Sequence, residues 1–256
     1  MTCLTENEKE TYANEGYLVL RGFYSTEETE RLKRRLQEIL EERSEKESGT
    51  EGRRAAYACR PIQEYHRHDS VIRNFAAGPR QFDLAREILG EEALLVGTVG
   101  FYKPPGSPAL PMHQDNFDIG PLGGRSCGIW TSLDNSDPLN GGLCIAPGSH
   151  RMGLYSKLNR NEALAKLLTV ELNDAAETAV SLRSVQTDPG DVVIFDGNTV
   201  HGSYANNSKN RYRHAFASHF IGTSTEKVLA HFDQLINRDG EIVRKPVNKS
   251  AMKIRL

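Results

Sequence analysis

The hydrophobic and polar positions of this chain follow one pattern up to about residue 92 and another after it. In the first part, Leu32, Leu36 and Leu40 recur every four residues in a highly charged stretch, which predicts a helix with one buried face. Ser25, with Glu28 three residues later, predicts the start of that helix through a capping box. The same pattern predicts further elements: a helix over 5–15, a strand over 16–23, and one or two helices over 66–89.

From residue 93 the chain consists of short β-rich runs separated by Gly, Pro and Asn. These runs occupy 94–102, 126–133, 142–146, 178–185, 191–195 and 212–221. Short strands with turn residues between them predict a sandwich or a barrel, and the lack of helix–strand alternation argues against a parallel α/β sheet. One apolar-periodic helix, 159–172, is expected as an insertion in this region.

We therefore expect a mainly β fold with flanking helices, built on a double-stranded β-helix core of the jelly-roll, cupin-like type. The 256 residues are expected to form a single domain, 1–256. Within it we expect a helical N-terminal support over about 1–92, a jelly-roll core over about 93–222 and a C-terminal extension over 223–256.

Composition narrows the range of functions. The formal net charge of −2 and the pI of about 6.5 give no basic surface for nucleic acid or for an anionic membrane. No apolar run approaches the ~20 residues that span a bilayer, and the polar N-terminus is unlike a signal or transit peptide. Cys3, Cys59, Cys127 and Cys144 show no paired spacing, which favours reduced thiols over disulfides or zinc. We expect a globular, cytoplasmic protein of enzyme size.

The first candidate for chemistry is His113-Gln114-Asp115. If this tripeptide lies on a strand, the side chains of His113 and Asp115 point to the same face and can bind one ion. With His201 as a third ligand, the set becomes two imidazoles and one carboxylate, which is the facial triad of non-haem Fe(II) and O₂ chemistry. A His-x-Asp pair alone is a weak signal, because such tripeptides arise often by chance.

The residues around His201 strengthen this interpretation. Asp188-Pro-Gly-Asp191 predicts a turn before the strand 192–195, and His201 opens the next strand after a second turn. Downstream, Arg213 has a planar guanidinium that can bind a carboxylate through two parallel hydrogen bonds. A metal with an anion clamp nearby suits 2-oxoglutarate, which must chelate iron through its keto-acid end and be held at its far carboxylate.

Together these segments resemble the phytanoyl-CoA dioxygenase family of Fe(II)/2-oxoglutarate-dependent oxygenases. The matching stretches run in family order over about residues 13 to 222 and are jointly specific: Lys103-Pro-Pro-Gly, His113-Gln-Asp115, Trp130-Thr131, Asn140-Gly-Gly-Leu-Cys-Ile-Ala-Pro-Gly-Ser-His150, Asp188-Pro-Gly-Asp191, His201-Gly-Ser203 and Tyr212-Arg213. The resemblance implies iron ligands and 2-oxoglutarate contacts, namely His113, Asp115 and His201 for the metal, and Arg213, Ser203, Trp130 and Thr131 for the cosubstrate.

Two arginines compete for the role of carboxylate clamp. In the family this arginine lies about eleven residues after the distal histidine, whereas Arg211 and Arg213 lie ten and twelve residues after His201. Aligning Tyr212-Arg-His-Ala with the family pattern favours Arg213 and places a one-residue insertion within 206–210. Arg211 remains the alternative.

The resemblance implies an enzyme that uses Fe(II), 2-oxoglutarate and O₂ to hydroxylate an unactivated C–H bond, with release of succinate and CO₂. Desaturation, epimerisation or ring closure by the same chemistry are alternatives, and Asp115 argues against halogenation because halogenase relatives have a small residue there. An alternative of another class is a non-catalytic β-barrel that binds a metal or 2-oxoglutarate. Because the chain lacks a basic cluster for a CoA phosphate, a small polar metabolite or natural-product intermediate is the expected substrate.

Substrate contacts are predicted at positions near the expected mouth of the barrel. Arg60 and His66 follow the polar stretch 44–54, which is expected to act as a mobile lid, and Asn116 and Phe117 follow the proximal metal ligands. His219 would share the inward face of Arg213 only if strand alternation is unbroken between them, and a buried structural histidine is the favoured interpretation.

Overall fold

The computed structural model describes residues 4–46, 61–154 and 182–250. Its helices are α1 (Glu6–Glu15), α2 (Thr26–Lys46), α3 (Ser70–Ala76), α4 (Pro79–Leu89) and α5 (Asp115–Ile119). Short 3₁₀ turns lie at Tyr65–Arg67, Ser149–Met152 and Ala230–Phe232. Most of the predicted lid at 44–54 and the whole predicted helix at 159–172 lie outside the described residues.

The strands of the described residues form two antiparallel sheets. They are β1 (Tyr17–Leu20), β2 (Ile62–Gln63), β3 (Ala93–Lys103), β4 (Leu110–His113), β5 (Ser126–Ser132), β6 (Leu143–Ile145), β7 (Arg183–Val185), β8 (Val192–Asp196), β9 (His201–Ser203), β10 (Arg213–Gly222), β11 (Gln234–Ile236) and β12 (Ile242–Arg244). The large sheet has the order β1-β8-β5-β10-β3-β11-β12, with β2 also paired to β3. The small sheet has the order β4-β9-β6-β7.

The two sheets pack face to face. Trp130, Val193 and Ala217 of the large sheet form one apolar cluster with Leu143 and Ile145 of the small sheet. This two-sheet arrangement, with strands that are far apart in sequence lying side by side, is the jelly-roll core that the β-rich runs predicted.

The helices cover the outer face of the large sheet. Leu32 and Leu36 of α2 and Phe82 of α4 pack in one cluster with Ile129 and Phe216 of the sheet. The strands alternate accordingly, so that along β5 and β10 every second side chain faces the helices and the others face the small sheet. The apolar stripe predicted for α2 is therefore confirmed as its buried face.

Both predicted helix starts have their capping boxes. The backbone N–H of Glu8 donates to Thr5 Oγ1 at 3.3 Å, and the N–H of Thr5 donates to the Glu8 carboxylate at 2.7 Å. Ser25 and Glu28 make the same reciprocal pair, at 3.3 and 2.8 Å. Helix α1 is capped at its C-terminus by Gly16, whose φ of 77° favours glycine. A larger residue at this position would bring its Cβ into the ring of His150.

The Asp188-Pro-Gly-Asp191 turn links the N-terminal segment to the sheet. The buried carboxylate of Asp191 accepts hydrogen bonds from the backbone N–H groups of Gly22 and Asp188, at 2.8 and 2.9 Å, and from Arg21 Nη1 at 2.6 Å. The chain leaves the β1 pairing at Arg21 to make these contacts, so the strand predicted over 16–23 is shorter, Tyr17–Leu20.

Three short strands, β2, β11 and β12, were not predicted. They have only two or three residues each, too few for a two-residue period to be visible in the sequence. The strands β4 and β9 were expected only from the predicted ligands that they carry, His113 and His201. β11 and β12 form a hairpin in the predicted C-terminal extension and add to the large sheet beside β3.

The described residues include two of the four cysteines and five helices, which bear on the expectations about thiols and membrane spans. Cys127 and Cys144 are buried, and the two described cysteines do not form a disulfide with each other. Among the described helices, none has both the length and the apolar character needed to cross a membrane.

The core contains one histidine whose protonation opposes folding. His66 is fully buried, its Nδ1 lies 2.9 Å from Thr98 Oγ1, and burial lowers its pKa to about 4, with Arg67 and Arg73 lowering it further. The folded state therefore takes up this proton later than the unfolded chain, whose His pKa is about 6.5. The stability that His66 contributes is complete above pH 6.5 and is lost as the pH falls toward 4.

We expect the free energy of unfolding of the metal-free protein to fall between pH 6.5 and 4, with about 3 kcal/mol of that loss due to His66, at ~1.4 kcal/mol per pKa unit. Urea denaturation of the wild type and of His66→Gln at both pH values measures this share as the difference between the two losses. His68→Gln, at an exposed neighbour whose charge is the smallest of the causes that lower the pKa of His66, should keep most of the loss. Equal losses in wild type and His66→Gln would contradict the prediction.

Candidate metal and cosubstrate site

A cavity of about 540 Å³ lies between the two sheets. The large sheet contributes Trp130, Phe195, Arg213, Ala217 and His219 to its walls, and the small sheet contributes Leu110, His113, Leu143, His201 and Ser203. The cavity therefore brings together the residue types that the sequence singled out from both halves of the chain.

Three of these side chains converge on one point. His113 and His201 lie directly opposite each other across β4 and β9, and Asp115 follows two residues after His113. Nε2 of each histidine is 3.7 Å from Oδ1 of Asp115, and the three ligand atoms lie within 4.8 Å of one another. The group could hold one metal ion.

Asp115 reaches this point by a route that the sequence did not predict. Pairing in β4 stops at His113, and Asp115 is the first residue of helix α5 rather than part of a strand. Gln114 between them is still extended, with φ −123° and ψ 130°, so His113 and Asp115 keep the relation of residues two apart on a strand. A carboxylate in the first helical turn is also favoured by the helix dipole.

A backbone carbonyl orients each histidine. Nδ1 of His113 lies 2.9 Å from the carbonyl of Pro111, and Nδ1 of His201 lies 3.0 Å from the carbonyl of Thr199. A carbonyl only accepts hydrogen bonds, so Nδ1 carries the proton and the lone pair of Nε2 is left for a metal.

The segment around Asp115 is fastened to the turn that precedes His201. The Gln114 amide donates to the carbonyls of Gly153 and Asn198, at 2.8 and 2.6 Å. The backbone N–H of Asn116 donates to the Gly197 carbonyl at 2.9 Å, and its amide donates to Asn198 Oδ1 at 2.8 Å. These bonds hold the proximal pair and the distal histidine in one unit.

The electrostatics of the group favour metal-binding protonation states. Burial, with a smaller contribution from His113, lowers the pKa of His201 to about 4, so its imidazole is neutral at neutral pH. Burial alone would raise the pKa of Asp115, but His219 and His201 hold that pKa well below its ordinary value. Two imidazoles and an ionised carboxylate beside a cavity fit Fe(II).

A third histidine lies beside Asp115. Nε2 of His219 is 3.2 Å from Oδ2 of Asp115. Burial would lower the pKa of His219, but the charge of Asp115 and the contact with it raise that pKa above the ordinary value.

At another part of the cavity wall, Arg213 offers an unused donor. Its Nε donates to the carbonyl of Gly141 at 2.9 Å, which fixes the guanidinium on the Asn140-Gly-Gly turn. The side chain is buried, and its Nη1 has no hydrogen-bond partner among the described residues. Burial lowers the pKa of Arg213 to about 10, so it stays charged at neutral pH. A buried cation with a free N–H fits a ligand carboxylate.

The competing arginine is already paired. Nη1 and Nη2 of Arg211 donate to the two carboxylate oxygens of Asp137, at 2.7 and 2.9 Å, and its side chain is 40% exposed. Arg211 does not line the cavity between the sheets. The geometry therefore favours Arg213 as the anion-binding residue.

Ser203 lines the same cavity as Arg213, and its hydroxyl contacts Lys103, which was not predicted as a site residue. Lys103 Nζ donates to Ser203 Oγ at 2.8 Å and to the Tyr204 carbonyl. Burial, reinforced by the charge of Arg213, lowers the pKa of Lys103 to about 7. The signal for Lys103 was its place in the Lys-Pro-Pro-Gly motif, directly opposite Arg213 in the β3–β10 register.

The predicted Trp130–Thr131 pair is divided by strand alternation. Trp130 lines the cavity, whereas Thr131 is fully buried, does not line it, and is paired with Phe216 and Val192, whose side chains face the helices. Adjacent residues on a strand point to opposite faces, so Thr131 is a core residue and its predicted cosubstrate role is corrected.

The predicted substrate residues do not line the cavity where the structure describes them. His66 is in the core, Asn116 holds the 197–198 turn, and Phe117 is on another face of α5, while Arg60 lies outside the described residues. Because the chain after Asp115 is helical, the residues that share its face are three and four positions on, Asp118 and Ile119. The cavity is also lined by residues that were not predicted as substrate contacts, among them Pro61, Gln63, Glu64, His231 and Phe232.

Comparisons with known proteins agree with this fold. A probable phytanoyl-CoA dioxygenase of Caenorhabditis elegans is 25% identical over 238 residues, which cover 85% of this chain and 75% of the relative. The crystal structure of EctD from S. alaskensis with bound Fe superposes with a TM-score of 0.73 at 24% identity, over 96% of this chain and 87% of that one. EctD with 2-oxoglutarate and 5-hydroxyectoine gives a TM-score of 0.71 at 23% identity, over the same shares.

Two histidines and a carboxylate beside the central cavity of a jelly roll are the ligand set of non-haem Fe(II) oxygenases. The family model of phytanoyl-CoA dioxygenase (PhyH) matches residues 12–215, and the chain belongs to this family. The resemblance inferred from the motifs is thereby confirmed. The protein is an Fe(II)/2-oxoglutarate-dependent dioxygenase, with Fe(II), 2-oxoglutarate and O₂ as cofactor and cosubstrates.

The geometry predicts that His113→Ala and His201→Ala lose Fe(II) or Co(II) binding, because each removes one of three ligand atoms. The loss should exceed the roughly 10–100-fold that removal of an outer supporting contact costs. Equilibrium dialysis under anaerobic conditions measures the affinity, and His68→Ala, outside the cavity, should bind metal like the wild type. Unchanged affinity in either ligand variant would exclude that residue as a ligand.

Proposed function

We propose that His113, Asp115 and His201 hold Fe(II), that Arg213 and Ser203 bind the distal carboxylate of 2-oxoglutarate, and that the enzyme hydroxylates a small polar metabolite or natural-product intermediate. The observation that carries this proposal is a three-ligand group in the same cavity as a buried arginine with an unused N–H. Family membership and the EctD structures with Fe and with 2-oxoglutarate support it.

When bound, iron and 2-oxoglutarate supply the oxidising power, with O₂ consumed and succinate and CO₂ released. The protein's contribution is to bind and to orient. The carbonyls of Pro111 and Thr199 keep Nε2 of each histidine aimed at the ion, and Gly141 keeps the guanidinium of Arg213 in place. Trp130 and Phe195 provide apolar walls that limit the entry of water.

Charge and size support a small polar substrate. The cavity, about 540 Å³, has to hold the cosubstrate and the reacting part of the substrate together. Glu64 and Asp118 line the cavity, and apart from Arg213 the basic residues among the described lining are histidines. Such a surface disfavours a substrate with several phosphates, such as a CoA thioester. The 5-hydroxyectoine in the EctD structure is a small molecule in a protein of this fold.

Desaturation, epimerisation and ring closure would use the same metal group and the same clamp, and product analysis separates them from hydroxylation. We expect substrate-dependent release of succinate when the Fe(II)-loaded protein is given 2-oxoglutarate, O₂ and a panel of small polar metabolites, natural-product intermediates and acyl-CoA thioesters. Mass spectrometry of the product gives the reaction type. Stimulation by thioesters alone would overturn the substrate proposal. If the fully metal-loaded protein releases no succinate with any compound of the panel, the result would favour the non-catalytic barrel.

Replacement of Arg213 should weaken the binding of 2-oxoglutarate selectively. Hydrogen bonds to charged groups contribute about 1.5–3 kcal/mol, so Arg213→Ala should raise the 2-oxoglutarate requirement roughly ten- to a hundredfold. Arg211→Ala is the matched control, since it removes an exposed guanidinium paired with Asp137, and it should have little effect. Titration of 2-oxoglutarate into the metal-loaded variants measures this difference. A larger effect at Arg211 would place the clamp there.

A further inference from the structure

The two oxygens of Asp115 have different neighbours. Oδ1 lies 3.7 Å from Nε2 of both His113 and His201, whereas Oδ2 lies 3.2 Å from Nε2 of His219. The side chain of Asp115 is only 9% exposed. One oxygen is therefore turned toward the metal ligands and the other toward a histidine that is not a member of the three-ligand group.

The fold supplies this histidine through strand β10. Alternation along β10 puts Arg213, Ala217 and His219 on the face that lines the cavity, and the register shift in the β3–β10 pairing falls between His219 and Phe220. The alternation is thus unbroken over the six residues that separate Arg213 from His219. The same strand presents the carboxylate-binding arginine at one end and a partner for Asp115 at the other.

The strands on either side of β10 present glycines beside His219. The residues opposite His219 are Gly97 on β3 and Gly128 on β5. A Cβ at Gly128 would lie 2.5 Å from the ring of Phe195 and 3.1 Å from Oδ2 of Asp115, so a side chain there would displace the ring and crowd the carboxylate. Together with Asp115, the backbone of Gly97 also raises the pKa of His219, so β3 borders the imidazole.

We propose that His219 is a positioning residue that holds Oδ2 of Asp115 away from the metal, so that the carboxylate binds the ion through Oδ1 alone. This proposal rests on the metal site proposed above. A carboxylate can bind a cation through one oxygen or through both. Released from His219, Oδ2 can rotate onto the ion and occupy a coordination position that the facial arrangement leaves open for 2-oxoglutarate and O₂.

The proposal predicts different effects on metal and on cosubstrate. His219→Leu removes the N–H groups, and it should leave the Co(II) affinity within about threefold of wild type or raise it. It should weaken 2-oxoglutarate binding to the Co(II)-loaded protein roughly tenfold or more, within the range known for outer contacts of metal ligands. His219→Gln keeps an N–H donor and should restore most of the affinity. His68→Leu, the same change at an exposed site outside the cavity, should match the wild type.

Anaerobic calorimetry with 2-oxoglutarate and the visible absorption spectrum of bound Co(II) provide the readouts. The spectrum depends on the number and arrangement of ligand atoms, so it should change in His219→Leu and be unchanged in His219→Gln. If His219→Leu does not fold, as judged by thermal unfolding of the metal-free protein, His219→Asn, with a shorter amide, takes its place with the same expected results.

Two results would overturn the proposal. One is a wild-type spectrum and 2-oxoglutarate affinity in His219→Leu. The other is an equal loss of metal and cosubstrate binding in the Leu and Gln variants, which indicates a purely structural role. Failure of the metal site itself would be recognised separately, because wild type and His201→Ala would then bind Co(II) alike.

Discussion

The site depends on hydrogen bonds between the segment 114–116 and the turn at 197–198. Gln114 and Asn116 flank Asp115, and both bond to the turn that leads into His201. Residues 81 to 84 positions apart in sequence are thereby held in one rigid unit. The polar side chains next to Asp115 hold the two chain segments together, because the three candidate ligand atoms come from both segments and have to be kept at fixed positions.

The large sheet has two different faces, one packed against the helices and the other lining the cavity. On β10, Phe216 packs against the helices while Ala217 and His219 face the cavity, and on β5 Ile129 and Trp130 divide in the same way. The helices α2 and α4 provide stability from one side, and the opposite face is left for polar and charged groups. Each of the buried charges of Arg213 and Asp115 has a polar neighbour, the Gly141 carbonyl and the His219 ring respectively, and Arg213 Nη1 and Asp115 Oδ2 have no hydrogen-bond partner among the described residues.

The sequence was sufficient where chemistry follows from residue type and local pattern. His113, Asp115 and His201 form the expected group, and the capping boxes at Thr5 and Ser25 begin the helices as predicted. It was insufficient where the direction of a side chain depends on the partners of its strand or helix. Thr131 faces the helices, and the change from strand to helix at Asp115 turns Asn116 away from the cavity and Asp118 toward it. The core position of His66 depends on packing against β3, which its local sequence does not encode.

The register of β10 has a consequence for how the loop before it can vary. β10 is paired on both sides, with Arg213 opposite Lys103 on β3 and Ala215 opposite Ser132 on β5. The chain between Ser203 and Arg213 is fastened by Asn206, whose amide donates to the carbonyls of Lys103 and Arg211 at 2.9 and 2.8 Å. We therefore expect an insertion between Ser203 and Arg213 to lengthen the loop without changing the register of β10 or the position of the Arg213 guanidinium. Counting positions along the chain is thus a poor way to find this arginine in a distant relative, and the residue across the ladder from Lys103 is the better marker.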